Sequence, residues 1–168
     1  AALEGGYDVV ATGHNLDDEA AVLFGNVLRW NTDYLGRQLP VLPAEAGFVR
    51  KVKPLVRLDE REMAAYCIVR GIDYIVEECP MADGNRHLGY KEALNLVEER
   101  SPGAKQAFYF EFLARASGRF RPEGGHEVPL QACTRCGSPT TGEVCAFCAL
   151  VDRASQPVSL RATRRARA

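Results

Sequence analysis

The apolar positions change period along the chain, and the changes mark its elements. Tyr7–Thr12 is a short β-branched run closed by Gly13, which predicts a buried strand. Asn15–Asp18 then offers a helix N-cap region, with Asp17, Asp18 and Glu19 where a helix dipole favours acids. Ala20, Val22, Leu23, Val27 and Leu28 continue an apolar stripe to about Trp30. A loop with Asn31, Gly36 and Pro40 leads to a second predicted strand, Phe48–Leu55. Asp59 caps a helix through Arg70, Gly71 closes it, and Asp73–Val76 returns as a third strand. Two helices follow, near Leu88–Glu99 and Pro102–Ala116. Strand alternating with helix predicts an α/β fold with a parallel, doubly wound, Rossmann-like sheet, here incomplete because three strands are few.

The later segments predict residues 1–120 as this α/β domain and 121–130 as a linker. A small zinc finger follows at 131–150, then a basic mobile tail at 151–168. The composition is that of an ordered globular chain: 46% hydrophobic, 26% charged, net charge −1. No apolar run approaches the ~18–20 residues of a membrane span. The opening AALEGGYD lacks the basic start and apolar stretch of a signal peptide, so a cytoplasmic location is expected. Charge is unevenly placed. Residues 1–132 hold 15 basic and 20 acidic residues, and residues 133–168 hold 6 and 2. A basic end on an acidic body suggests an anionic partner there; a solvated arginine-rich tail is the plain alternative.

Cys133, Cys136, Cys145 and Cys148 form two C-x-x-C pairs across a short loop. Each pair can turn two thiolates toward one ion, which suits a closed tetrahedral zinc site. Gly137 and Gly142 help the chain turn, and the segment has few core-forming residues, so a metal would be needed to fold it. Two disulfides are the alternative, expected in a secreted chain. Cys67 lies in a helical pattern and reads as a buried small residue. Cys79 follows the third predicted strand, ahead of Pro80, where α/β proteins place their chemistry.

The turn Ala11–Ala20, A-T-G-H-N-L-D-D-E-A, brings His14, Asn15, Asp17 and Asp18 to a helix start behind Gly13. Backbone N–H groups there suit phosphate, and carboxylates can hold Mg²⁺. An N-capped helix with solvated acids is the plain alternative. The turn resembles the second ATP-site motif of the N-type ATP pyrophosphatases, specifically the tRNA 2-thiolation enzymes of the TtcA/TtuA family. KVKPL at Lys51–Leu55, DYIVEECP at Asp73–Pro80, KEALNLVEERSPGAKQAF at Lys91–Phe108 and the four-cysteine end extend the resemblance over nearly all of residues 7–150.

The resemblance implies an ATP-dependent tRNA uridine 2-sulfurtransferase. The C2 oxygen of a uridine is adenylated with release of pyrophosphate, and a sulfur nucleophile then displaces AMP to leave 2-thiouridine. It places Gly13, His14, Asn15, Asp17 and Asp18 at ATP and Mg²⁺, with Asp17, Asp18 and Cys79 catalytic. Cys79 becomes a ligand of a 4Fe–4S cluster, completed by two cysteines of an upstream C-x-x-C. A plain cysteine persulfide is the alternative sulfur carrier. Arg86 is placed near RNA. The implied partners are tRNA, a ubiquitin-like sulfur-carrier protein and, as in relatives, a second copy of the chain.

The family's phosphate loop S-G-G-x-D-S, its upstream C-x-x-C and its N-terminal zinc finger have no counterpart in these residues. Ala21 and Val22 replace a frequent Gln-Thr. The chain is therefore expected to be the C-terminal part of a longer protein and inactive alone. Two other readings remain at this point. One is a zinc-stabilised RNA-binding module without catalysis, using the Arg161–Arg167 tail; the other is a lysidine synthetase-like ligase.

Overall fold

The computed structural model describes residues 1–44, 47–76, 85–120 and 130–155. Cys79, most of the expected linker and the Arg161–Arg167 tail lie outside the described residues. The chain forms two compact units: Ala1–Glu45 with Val49–His126, and Ala46–Phe48 with Glu127–Ala168.

In the first unit β1 (Val9–Ala11) leads into helix α1 (Leu16–Leu28). The short helix α2 (Thr32–Leu35) and strands β2 (Val41–Leu42) and β3 (Arg50–Val52) follow. Helices α3 (Glu60–Arg70), α4 (Arg86–Arg100) and α5 (Ala104–Arg115) complete it, with a 3₁₀ turn at Ser117–Phe120. The sheet order is β1-β3-β2, with β1 parallel to β3 and β2 antiparallel to it. This is a mixed α/β arrangement: among the described residues one strand pair, β1 with β3, is parallel, and the rest of the expected doubly wound sheet is not seen.

Two further strand expectations change for one physical reason. Asp73–Val76 carries no strand, and its Ile75 and Val76 are 86% and 76% exposed. β1 forms where predicted but is exposed along its whole length. An apolar run becomes a buried strand only when a neighbour supplies both a hydrogen-bond ladder and a covering layer. Among the described residues β3 is the single strand paired with β1, and Asp73–Val76 has no ladder partner.

The helices follow their sequence signals closely. Asn15 caps α1 and Asp59 caps α3, each through a capping box whose third helical residue, Asp18 or Glu62, returns a bond to the cap N–H. Leu16, Leu23, Leu35, Val56 and Tyr109 form the main core, and Ala20, Ala21 and Leu94 form a second between α1 and α4. Gly25 permits the close approach of those two helices. A Cβ there would stand 2.6 Å from Cε2 of Tyr90, whose ring meets Phe24 edge-on with centroids 5.7 Å apart. Cys67, expected to be buried, is half-buried on α3.

α1 and α3 end in the same way. Trp30 N–H donates to the Val27 carbonyl and Asn31 N–H to that of Asn26. Gly71 N–H and Ile72 N–H likewise reach Ile68 and Cys67. Both are Schellman closures, in which the residue that closes the last turn is left-handed. In α3 that residue is glycine, at φ +62°, and in α1 it is Trp30, at φ +50°.

The second unit is built on the hairpin of β4 (Gln131–Ala132) and β5 (Pro139–Thr140), followed by α6 (Ala146–Ser155). Among its described residues the buried core consists of Cys133, Cys145 and Cys148.

Candidate nucleotide turn and metal centre

The β1–α1 turn is anchored at both ends. Thr12 N–H donates to the Val52 carbonyl, extending the parallel pairing, and Leu16 N–H donates to that of Leu58. Between them Gly13 faces open space and His14 is exposed, with its Nδ1 2.9 Å from Thr12 Oγ1. Asn15 is buried; its Oδ1 accepts from Asp18 N–H at 3.0 Å. The N–H groups of Asn15, Leu16 and Asp18 are taken by Asp18, Leu58 and Asn15, which leaves those of Gly13, His14 and Asp17 to meet an anion in front of this turn.

The three acids at the start of α1 are each met by a different lysine. Asp17 is buried, with Oδ1 2.6 Å from Lys105 Nζ and Oδ2 accepting from Glu60 N–H at 2.8 Å. Lys105 Nζ also donates to Asn95 Oδ1 at 2.9 Å. Asp18, 30% exposed, holds the Asn15 N–H through Oδ2 and meets Lys91 Nζ at 2.7 Å through Oδ1. Glu19 is buried against Lys53 Nζ at 2.6 Å, with Gln38 and the Tyr109 hydroxyl donating to the same carboxylate oxygen. Successive helical residues point about 100° apart, so α1 directs these acids to α5, α4 and β3 rather than to one ion.

The roles available to the expected pair therefore differ. Both Asp17 oxygens are spent on Lys105 and on the N-terminus of α3, a favourable place for a carboxylate. Asp18 keeps exposure at the turn, and its Lys91 is shared with Glu60. Burial alone would lower the Lys91 pKa, but hydrogen bonds to Asp18 and Glu60 outweigh it and the net shift is upward. Arg86 is exposed at the first position of α4. Sequence reasoning missed Lys91, Lys105, Lys53 and Glu19 as site-forming residues.

A cleft of about 510 Å³ opens beside Asp17, between Asp59, Glu60, Asn95, Glu98 and Lys105. It does not include Gly13, His14 or Asp18, and its lining is mainly carboxylate. It is electrostatically unsuited to a triphosphate.

In the second unit the four cysteine sulfurs lie within 4.8 Å of one another. Gly137, at φ +73°, turns the first pair, and its N–H donates to the Cys133 carbonyl. Cys145 precedes α6 and Cys148 lies in its first turn. The Cys136–Cys145 sulfur separation is 3.6 Å, and the cysteines are free, which removes the disulfide alternative. A tetrahedral ion with sulfurs at ~2.3 Å would set them about 3.8 Å apart, close to that spacing. Hydrogen bonds from backbone N–H groups, that of Cys145 foremost, hold Cys133 down to about 6; a hydrogen bond with Cys136 pushes Cys148 up to about 12. The donor set is that of a soft metal ion held by thiolates.

The fold and site thus define a class: a mixed α/β unit with a capped helix start after its first strand, followed by a four-cysteine cluster that could bind a metal. Known proteins narrow it. The chain is a homologue of the tRNA 2-thiolation enzymes. It is 56% identical over 151 residues to the tRNA-5-methyluridine(54) 2-sulfurtransferase of Thermus thermophilus, covering 90% of this chain and 46% of that protein. The Pyrococcus horikoshii enzyme of the same name is 46% identical over 147 residues, 88% of this chain and 47% of the relative. Among solved structures, the U34-tRNA thiolase NcsA from Methanococcus maripaludis with its 4Fe–4S cluster superposes with a TM-score of 0.63. It is 25% identical, over 90% of this chain and 47% of that one. No protein-family model matches the chain. The chain spans about half the length of the curated relatives it matches. Among the described residues no helix is long and apolar enough to cross a membrane.

Proposed function

We propose that this chain forms part of an ATP-dependent tRNA uridine 2-sulfurtransferase. The observation that carries the reading is the 56% identity over 151 residues to an enzyme named for that reaction. That identity, against 25% to a U34 thiolase, favours 5-methyluridine 54 as the substrate position. A cytoplasmic setting, a sulfur-carrier protein as donor and self-association belong to the same reading. A whole enzyme would extend β1 and Asp73–Val76 into the doubly wound sheet.

A uridine C2 oxygen is a poor leaving group until it carries a phosphoryl ester, and ATP supplies that activation. In this chain the turn at Gly13 and His14 offers amides to phosphate, ahead of the Asn15 cap. Asp18, held by Lys91, keeps a carboxylate beside it for Mg²⁺ or for a proton. Asp17 fixes the helix that presents them. Cys79 is proposed as the residue through which sulfur reaches the base, as one ligand of a 4Fe–4S cluster.

Cys133, Cys136, Cys145 and Cys148 would hold zinc. Four sulfurs this close enclose one ion, whereas a four-iron cube with an iron behind each sulfur needs them spread wider. Zinc here is structural, since a closed four-thiolate site leaves no open position for substrate.

The test is a chimera in which this chain replaces the matching residues of the Thermus relative. With tRNA and a sulfide source present the chimera should convert ATP to AMP and pyrophosphate, and without tRNA it should release neither. A folded, zinc-loaded chimera with no tRNA-dependent pyrophosphate release overturns the reading.

A further inference from the structure

We propose that Trp30 and Tyr34 form an RNA contact, a platform on which an unpaired base of the tRNA stacks; this rests on the tRNA reading above. Trp30 occupies the left-handed closing position of α1, which in α3 is filled by Gly71. That backbone conformation disfavours a bulky side chain, and glycine would take it without strain. Among the described residues the indole finds little packing in return. Trp30 is 72% exposed and belongs to neither core cluster. Tyr34, one turn further on in α2, is 62% exposed, and Leu28 before them is 57% exposed. A large aromatic held at a strained position and turned to solvent is the kind of feature that marks contact with another molecule.

The chemistry around the knob favours RNA. Arg29 and Arg37 flank it, with Asp33 the one acid between them. The Arg29 guanidinium donates to the Tyr90 hydroxyl at 3.3 Å, which steadies it beside the knob. An exposed indole with neighbouring guanidinium groups supplies what splayed-out bases use, a π-face for stacking and cations for the adjoining phosphates. A second protein is a poorer fit. A stable protein interface buries about 800 Å² per partner, whereas one aromatic side chain offers ~150–250 Å².

Trp30 is the chain's only tryptophan, so its emission reports this position alone. The zinc-loaded 168-residue chain would be titrated with unmodified tRNA, following Trp30 emission while retention of labelled tRNA is measured in parallel. The expected result is saturable quenching in step with retention. Trp30→Ala should weaken binding about tenfold and Trp30→Phe should recover most of it, as loss and return of one stacked base require. Retention at full affinity with unchanged emission, and no effect of Trp30→Ala, overturns the platform and leaves the thiolase reading standing. Failure of the chain to retain tRNA overturns the platform, while the thiolase reading stands or falls with the chimera. An emission change that follows protein concentration without RNA overturns the platform in favour of self-association through the same knob.

Discussion

Asp17 and Lys105, 88 residues apart, meet at 2.6 Å with side chains 2% and 6% exposed, and this pair joins the start of α1 to the start of α5. The same aspartate accepts the Glu60 N–H, so the beginnings of three helices converge on one carboxylate. Two charges removed from water are tolerated because Asn95 and the α3 amide satisfy their remaining valences.

Breaking one side of that pair should be expensive. Lys105→Met strands a buried carboxylate, and Asp17→Asn leaves a buried ammonium. Each single change is expected to lower unfolding free energy by about 3–5 kcal/mol, and the double change by less than the sum. Urea unfolding of the four proteins measures this. Additive losses would show that the two groups do not act as a pair.

Asp18 predicts a different outcome. Its carboxylate is partly exposed and caps the helix, so Asp18→Asn should cost only about 1 kcal/mol. In the chimera with the Thermus relative, the same change should abolish most tRNA-dependent pyrophosphate release. Asp17→Asn, by contrast, should reveal itself first as lost stability.

Trp30→Gly should stabilise the first unit. Relief of one left-handed residue is worth roughly 1–2 kcal/mol, partly offset by glycine's larger unfolded-state entropy. Gly71→Ala should destabilise by a similar amount, because it creates the strain that Trp30→Gly removes. Thermal unfolding of the two variants should shift in opposite directions.

The pH limits of the first unit follow from two groups. Burial alone would raise the Glu98 pKa, but the Lys105 and Gly103 N–H groups it accepts outweigh this and hold it below the usual 4.5. Its contribution is present above that value and is lost as pH falls through the lowered one. Lys91, raised above 10.5, contributes fully below that value and loses its effect as pH rises through the raised one. Both groups are partly exposed to solvent, so each contribution is about a few tenths of a kcal/mol. Glu98→Gln should flatten the acid limb of the stability curve and leave the alkaline limb unchanged.

Chelation should act on the other unit. Its buried core is three cysteines, so removing the ion removes most of what folds it. Hydrogen exchange in residues 130–155 should rise to the unprotected rate with a strong chelator, while α1 keeps its protection. Metal analysis before chelation should find one zinc per chain. Protection of 130–155 that survives complete metal loss would show that the fold stands without it.

The helices were legible because their boundaries are written locally: Asn15 and Asp59 as caps, Gly71 as a stop, alternating apolar stripes between. The end of α1 was less legible, since nothing local marks Trp30 as a left-handed closure. The sheet was legible only in part. Tyr7–Thr12 and Asp73–Val76 carry strand composition, but exposure and pairing are decided by neighbours that composition does not name. The site divided similarly. Cysteine spacing foretold the gathering of four sulfurs, whereas the adjacent Asp17 and Asp18 looked like a pair until the helix turned them apart. One signal was available and went unread. The chain has 17 arginines and four lysines, and three of those lysines, Lys53, Lys91 and Lys105, are the ones that meet the α1 acids. In a chain that otherwise uses arginine, these three lysines mark places where a compact point charge fits and a planar fork does not.

The central claim is tested most directly by mass analysis of nucleosides from tRNA incubated with the chimera, ATP, Mg²⁺ and a sulfide source. The account predicts 5-methyluridine in which one oxygen has been exchanged for sulfur, dependent on ATP and absent with Asp18→Asn. A folded chimera that binds zinc and tRNA but leaves every uridine unchanged would contradict it.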